Sequence, residues 1–101
     1  MKKTYIFKVK PGKLGVWKAW AKELGGTLRM EALGTLKEER VVEEACLYFN
    51  IEGVDYVVGF MDGEMLPANM DREINQKHKR MKDECLERVA VGEVLYSLKI
   101  E

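Results

Sequence analysis

Only one histidine stands in this chain, His78, and only two cysteines, Cys46 and Cys85. With so few ligating groups there is no His-x-His, His-x-x-Glu or Cys-x-x-Cys spacing. A metal site would have to be assembled by the fold, and none is predicted. Two cysteines in a reducing compartment predict no disulfide, and each lies in an apolar pattern that suits a small core residue. Neither sign of charge is in excess: Lys plus Arg total 17, and so do Asp plus Glu. The broad positive field of a nucleic-acid or anionic-membrane binder is therefore missing, and neither partner is predicted. No segment approaches the ~20 apolar residues of a membrane span. Met1-Lys2-Lys3 imitates the charged start of a signal peptide, but Tyr5-Ile6-Phe7 is cut short by Lys8, too early for its apolar region. The expectation is a cytoplasmic protein. Gly12, Gly15, Gly25 and Gly26 form neither a phosphate-binding loop nor a dinucleotide fingerprint, and no cofactor is predicted.

What is present is an ordinary globular composition. The 101 residues are 47% hydrophobic, which argues against disorder and for one domain over residues 1–101. Thr4 to Lys10 alternates, with Tyr5, Phe7 and Val9 on one face, and reads as a strand ended by Pro11-Gly12. Leu14, Trp17, Ala21, Leu24 and Leu28 then recur at three and four, the stripe of an amphipathic helix. Gly25-Gly26 interrupts it at about 1 kcal/mol per glycine. The helix either bends there or stops and restarts through Thr27 to Lys37. Val41 to Ile51 and Val54 to Met61 alternate on either side of Glu52-Gly53, an antiparallel hairpin. After Pro67 a second helix is expected from about Ala68 to Arg88, with Met70, Ile74, His78, Met81 and Cys85 on one stripe. Val94, Tyr96, Leu98 and Ile100 alternate in a last strand.

The order β, α, β, β, α, β predicts an α+β sandwich of the ferredoxin-like kind: a four-stranded antiparallel sheet with two helices on one face. The first two strands carry apolar groups on both faces, and helices cover only one. The exposed remainder predicts a homodimer packed sheet to sheet.

Several segments carry a resemblance. Lys8-Val9-Lys10-Pro11-Gly12 with Trp17, the span from Glu31 to Glu43, Asp55-Tyr56, Met61 and the helix around His78 together resemble the uncharacterised DUF6176 family, within the dimeric α+β barrel superfamily. The likeness covers nearly the whole chain. It implies a dimer with a pocket between helices and sheet. Members of that superfamily include small monooxygenases, mutarotases, haem-handling proteins and ligand-binding domains, so the resemblance implies no single reaction.

Three residues are candidates for acid–base chemistry. His78 lies on the apolar stripe of its helix, where a neutral imidazole suits a base, an acid or a ligand, or simply a half-buried ring satisfied by a neighbour. Glu43 alternates with Val41, Ala45, Leu47 and Phe49, and Glu31 follows Leu24 and Leu28 by seven and three. A carboxylate on an apolar face costs free energy unless it is paired or protonated. Function is one reason to keep it there; ion pairs with Arg29, Arg40 or Arg72 are another. Trp20, Tyr48 and Tyr56 are candidates for lining a pocket, against ordinary packing roles. The run Lys77 to Lys82 looks basic, but Asp71, Glu73, Asp83, Glu84 and Glu87 offset it on the same helix. The strand Val57 to Asp62 lacks the aromatic spacing of an RNA-binding sheet. Two functions follow as expectations: a small cofactor-free enzyme acting on an organic molecule, or a non-catalytic domain binding such a ligand.

Overall fold

Alternating residues at the start of the chain form β1 (Lys2–Val9), and the three-and-four stripe forms α1 (Leu14–Gly25). They are followed by α2 (Arg29–Glu38), β2 (Val41–Ile51), β3 (Val54–Gly63), α3 (Glu73–Cys85) and β4 (Leu86–Val91) in a computed structural model that describes residues 1–100. The strands make one antiparallel sheet in the order β2-β3-β1-β4. The α+β class and the four-stranded sheet are as expected. The six-element ferredoxin-like order is not: there are three helices, because the first one stops and restarts. At the break, Gly26 and Leu28 both donate their N–H to the Glu23 carbonyl. A side chain at Gly26 would press on the Lys22 carbonyl at 2.8 Å, so this glycine is what the close turn requires.

Two further boundaries differ from expectation. The helix expected from Ala68 begins only at Glu73, so Met70 lies outside it and is exposed. It also ends at Cys85 rather than Arg88. There the Cys85 carbonyl accepts the Lys10 N–H at 2.8 Å, and Leu86 turns extended to pair with Val9. Burying Leu86 in the core and gaining ladder bonds to β1 outweighs one more helical turn. The last strand is therefore Leu86–Val91. The segment expected as a strand, Val94 to Ile100, forms neither helix nor strand, because its place beside β1 is already filled.

All the buried packing lies on one side of the sheet. Val9, Val57 and Leu86 from the strands meet Trp17 and Trp20 of α1 and Ile74 and Cys85 of α3, with Phe7, Leu14, Leu24, Leu28 and Met81 around them. Strand register fixes which residues join them. Phe7 is level with Val57 and Tyr48, and Tyr5 with Gly59 and Cys46. Glu44, Cys46 and Tyr48 therefore share the helix-covered face of β2. The opposite face carries Ile6, Leu47, Val58 and Phe49 in adjacent registers, and no helix covers it. Cys85 is fully buried as expected, whereas Cys46 is exposed.

Candidate functional site

The helix-covered side of the sheet is not filled to its end. Between α1, α3 and strands β1 to β4 lies a cleft of about 490 Å³, within the usual range for small-molecule sites. Its apolar walls come from Tyr5, Phe7, Trp17, Val57 and Met61, and its polar groups from Glu44, Cys46, His78, Lys82, Asp83 and Arg88.

His78 is its centre. Trp17 and Trp20 are three apart on α1, so both indoles point toward α3. Their ring centroids lie 6.1 and 6.0 Å from that of His78. The Trp20 Nε1–H donates to His78 Nδ1 at 2.9 Å. An accepting Nδ1 places the imidazole proton on Nε2 and leaves that N–H as the ring's free donor. Burial between the indoles, with Lys82 adding like charge one turn along α3, lowers the His78 pKa from 6.5 to about 4. At neutral pH the ring is uncharged.

Trp17 presents a second donor. Its side chain is buried, yet its Nε1–H has no hydrogen-bond partner. The Cys46 thiol is close enough to feel that N–H and is stabilised as thiolate by it, but hydrogen-bond geometry is not met, and sulfur is a weak acceptor. Desolvation dominates at Cys46, and with Glu44 beside it the thiol is pushed up, away from nucleophilic reactivity. A buried, unpartnered N–H costs about 1–3 kcal/mol. It is the one orphaned buried side-chain donor among the described residues.

The cleft has two carboxylates: Asp83 is paired with Lys79 at 2.9 Å, and Glu44 makes no ion pair among the described residues. Its residue surface opens to solvent at the mouth, while the walls crowd the carboxyl and raise its pKa; Lys82 opposes the rise. Neither Lys82 nor Arg88 makes an ion pair among the described residues, and Arg88 stacks over the Tyr5 ring at 5.7 Å. No group of three or more His, Cys, Asp or Glu is placed to hold a metal ion among those residues.

The structure places the sequence-derived candidates in different regions. His78 and Trp20 meet in one hydrogen bond. Glu43 is exposed and outside the cleft: it shares a strand face with Ala45 and Leu47, and that face is the uncovered one. Glu31 is an exposed residue of α2, also outside the cleft. Tyr48 lies on the helix side but at the far end of the sheet, where its hydroxyl donates to Asp55 at 2.6 Å and Lys18 sits 4.4 Å over its ring. Tyr56 alternates with the buried Val57 and so points to the uncovered face. Glu44, Trp17 and Lys82 were not singled out for chemistry from sequence. The usable signals were Glu44 alternating with Cys46 and Tyr48, and Lys82 falling four residues after His78.

A helix-covered antiparallel sheet with a half-open cleft around one neutral histidine describes a class of small α+β protein rather than a reaction. Within that class the chain belongs to DUF6176, a family of unknown function whose model matches residues 3–100. No curated protein and no solved structure matches the chain. No helix of the described residues is long and apolar enough to cross a membrane.

Proposed function

We propose that the cleft binds a small organic molecule through a carbonyl or carboxylate oxygen and moves a proton on it without a cofactor. The observation that carries this reading is the orphaned Trp17 Nε1–H in the same cleft as His78, whose Nδ1 is occupied and whose Nε2–H is free. A pair of neutral donors on two side chains that line one cleft suits an oxygen on which negative charge develops. A histidine kept neutral so that it donates rather than accepts a proton is a known way to polarise a carbonyl.

Glu44 is then the proton acceptor. Desolvation raises its affinity for a proton, which makes it a stronger base than a solvated carboxylate. It takes a proton from carbon next to the carbonyl, and the electron pair moves into an enolate oxygen held by the two N–H groups. Once the Glu44 carboxyl has exchanged its proton with solvent, protonation of the same carbon completes exchange, and protonation of the far carbon of a conjugated enolate completes isomerisation. Nothing is oxidised or reduced. Glu43 and Glu31, on other surfaces, have no part in this step.

The test is proton NMR in heavy water with cyclohexanone as the probe ketone. The protein is expected to accelerate deuterium uptake at the carbons flanking the carbonyl, and Glu44→Gln to lower that acceleration about 100-fold or more. A wild-type rate equal to that of buffer sinks the catalytic step. The aromatic walls formed by Tyr5, Phe7 and Trp17 favour a second reading, binding without turnover. In that case the ketone shifts cleft resonances while no deuterium enters it.

A further inference from the structure

The charges of the whole chain cancel, but those of the cleft do not. On α3, Lys77 pairs with Glu23 and Lys79 with Asp83. Lys82 and Arg88 both line the cleft. Among the described residues neither of them makes an ion pair or donates a side-chain hydrogen bond. With Asp83 answered by Lys79 and His78 neutral, two cations stand against the single carboxylate of Glu44. The cleft therefore carries one positive charge in excess.

Arg88 reaches the cleft through an irregularity of the sheet. β4 pairs Arg88 with Phe7 and Ala90 with Ile6, so Val89 is an extra residue with no partner. A bulge of this kind re-aims the side chains beside it. Arg88 is level with Phe7 and shares its helix-covered face. Its guanidinium lies over the Tyr5 ring at 5.7 Å. Stacking covers one flat side of the guanidinium and leaves its N–H edges free. A planar fork of donors held on an aromatic ring suits a carboxylate, which accepts two parallel hydrogen bonds from it. Lys82 follows His78 by one turn of α3, a rise of about 6 Å. A ligand spanning that distance has its carbonyl and its anionic group a few carbons apart.

We propose that the cleft takes a small keto acid, its carboxylate held by the Arg88 fork beside the Lys82 ammonium and its ketone oxygen turned toward Trp17 and His78. The ketone half rests on the proton-transfer reading given above; the carboxylate subsite stands on Arg88 and Lys82 alone. One carboxylate balances the excess charge of the cleft, whereas a phosphate monoester, with about two negative charges, would exceed it. The anion also serves the base. Lys82 opposes the rise in the proton affinity of Glu44, and a carboxylate bound against Lys82 offsets that opposition.

Isothermal titration calorimetry with levulinate, its methyl ester and valerate tests the inference on the full chain. Levulinate and the ester share the ketone and differ in charge; valerate has the charge and no ketone. Levulinate is expected to bind about 10-fold or more tightly than the ester, the usual worth of a charge-assisted pair. Arg88→Gln should erase that margin and weaken valerate by a similar factor. Arg88 is exposed, so its replacement leaves the core intact, and far-ultraviolet circular dichroism checks this. Equal affinity of wild type for levulinate and its ester overturns the inference, and so does a margin that survives Arg88→Gln. Deuterium uptake by the same ligands is read separately. Levulinate bound through Arg88 but gaining no deuterium upholds the carboxylate subsite and removes only the proton transfer. Both ketones exchanging, with no margin in affinity, upholds the proton transfer and overturns the anionic substrate.

Discussion

His78 ties stability to pH in a direction that follows from its environment. Its pKa in the folded chain is about 4, below the 6.5 of a free imidazole. Between those values the unfolded chain holds a proton that the folded chain refuses, so stability rises with pH across that window. The contribution is complete above pH 6.5 and is lost as the pH falls toward 4, about 3 kcal/mol in all. Glu44 and Glu39, whose pKa values burial raises, act in the opposite sense. They are common to a variant that changes only the imidazole. Urea unfolding at pH 7 and pH 5 should therefore show the wild type losing about 2 kcal/mol more than His78→Gln, whose amide oxygen still accepts from Trp20. Equal losses would mean a solvated ring. Trp17 offers an independent readout at the same scale. The chain has two tryptophans and hence two indole N–H resonances. Titration with cyclohexanone should move that of Trp17 downfield and leave that of Trp20 nearly still, because Trp20 is already bonded to His78. A shift confined to Trp20 would place the oxygen elsewhere.

Elements show where sequence reading succeeds and where it stops. Alternation in β2 correctly grouped Glu43 with Leu47 and Phe49, and Glu44 with Cys46 and Tyr48. It could not say which group the helices cover, since both are partly apolar. The richer apolar face of β2 turns out to be the open one, so the acidic residue that β2 gives the cleft is Glu44, one position from the residue that alternation favoured. The same limit applies to the end of α3. Leu86 and Val89 continue a helical stripe as well as they start a strand, and only pairing with β1 decides between them. The Glu52-Gly53 turn was more legible, because glycine reports backbone conformation directly. Gly53 and Gly63 both have positive φ, 83° and 144°, and they differ in surroundings. A side chain at Gly53 meets open space, whereas at Gly63 it collides with the Arg40 carbonyl and the Val41 backbone. Gly53→Ala should cost roughly 1–2 kcal/mol for its left-handed backbone alone. Gly63→Ala should cost more, since the junction of β2 and β3 must also open. Thermal unfolding of the two variants side by side checks the order, and a Gly63→Ala no worse than Gly53→Ala would refute it.

Over the whole molecule, burial in one copy is modest. The fully buried large side chains are Trp20, Val57 and Cys85, all on the helix side of the sheet, while exposed apolar residues accumulate on the other side and after β4. Covering those exposed residues by association would make the stability depend on concentration. For a folded dimer unfolding to two chains, each tenfold rise in concentration adds about 1.4 kcal/mol per dimer. Two chains of this length unfold with an entropy near 0.4 kcal/mol/K by the usual per-residue value, so the midpoint should climb by roughly 3 °C per tenfold. Scanning calorimetry from 5 to 500 micromolar should thus raise the midpoint by about 6 °C in the wild type. If the exposed leucines, tyrosine and isoleucine after Gly92 are what a second copy covers, removing residues 93 to 101 should lower the midpoint and flatten its dependence on concentration. A wild-type midpoint independent of concentration would mean that folding is complete within one chain, and that the apolar segment after Gly92 is unpaired in solution as well.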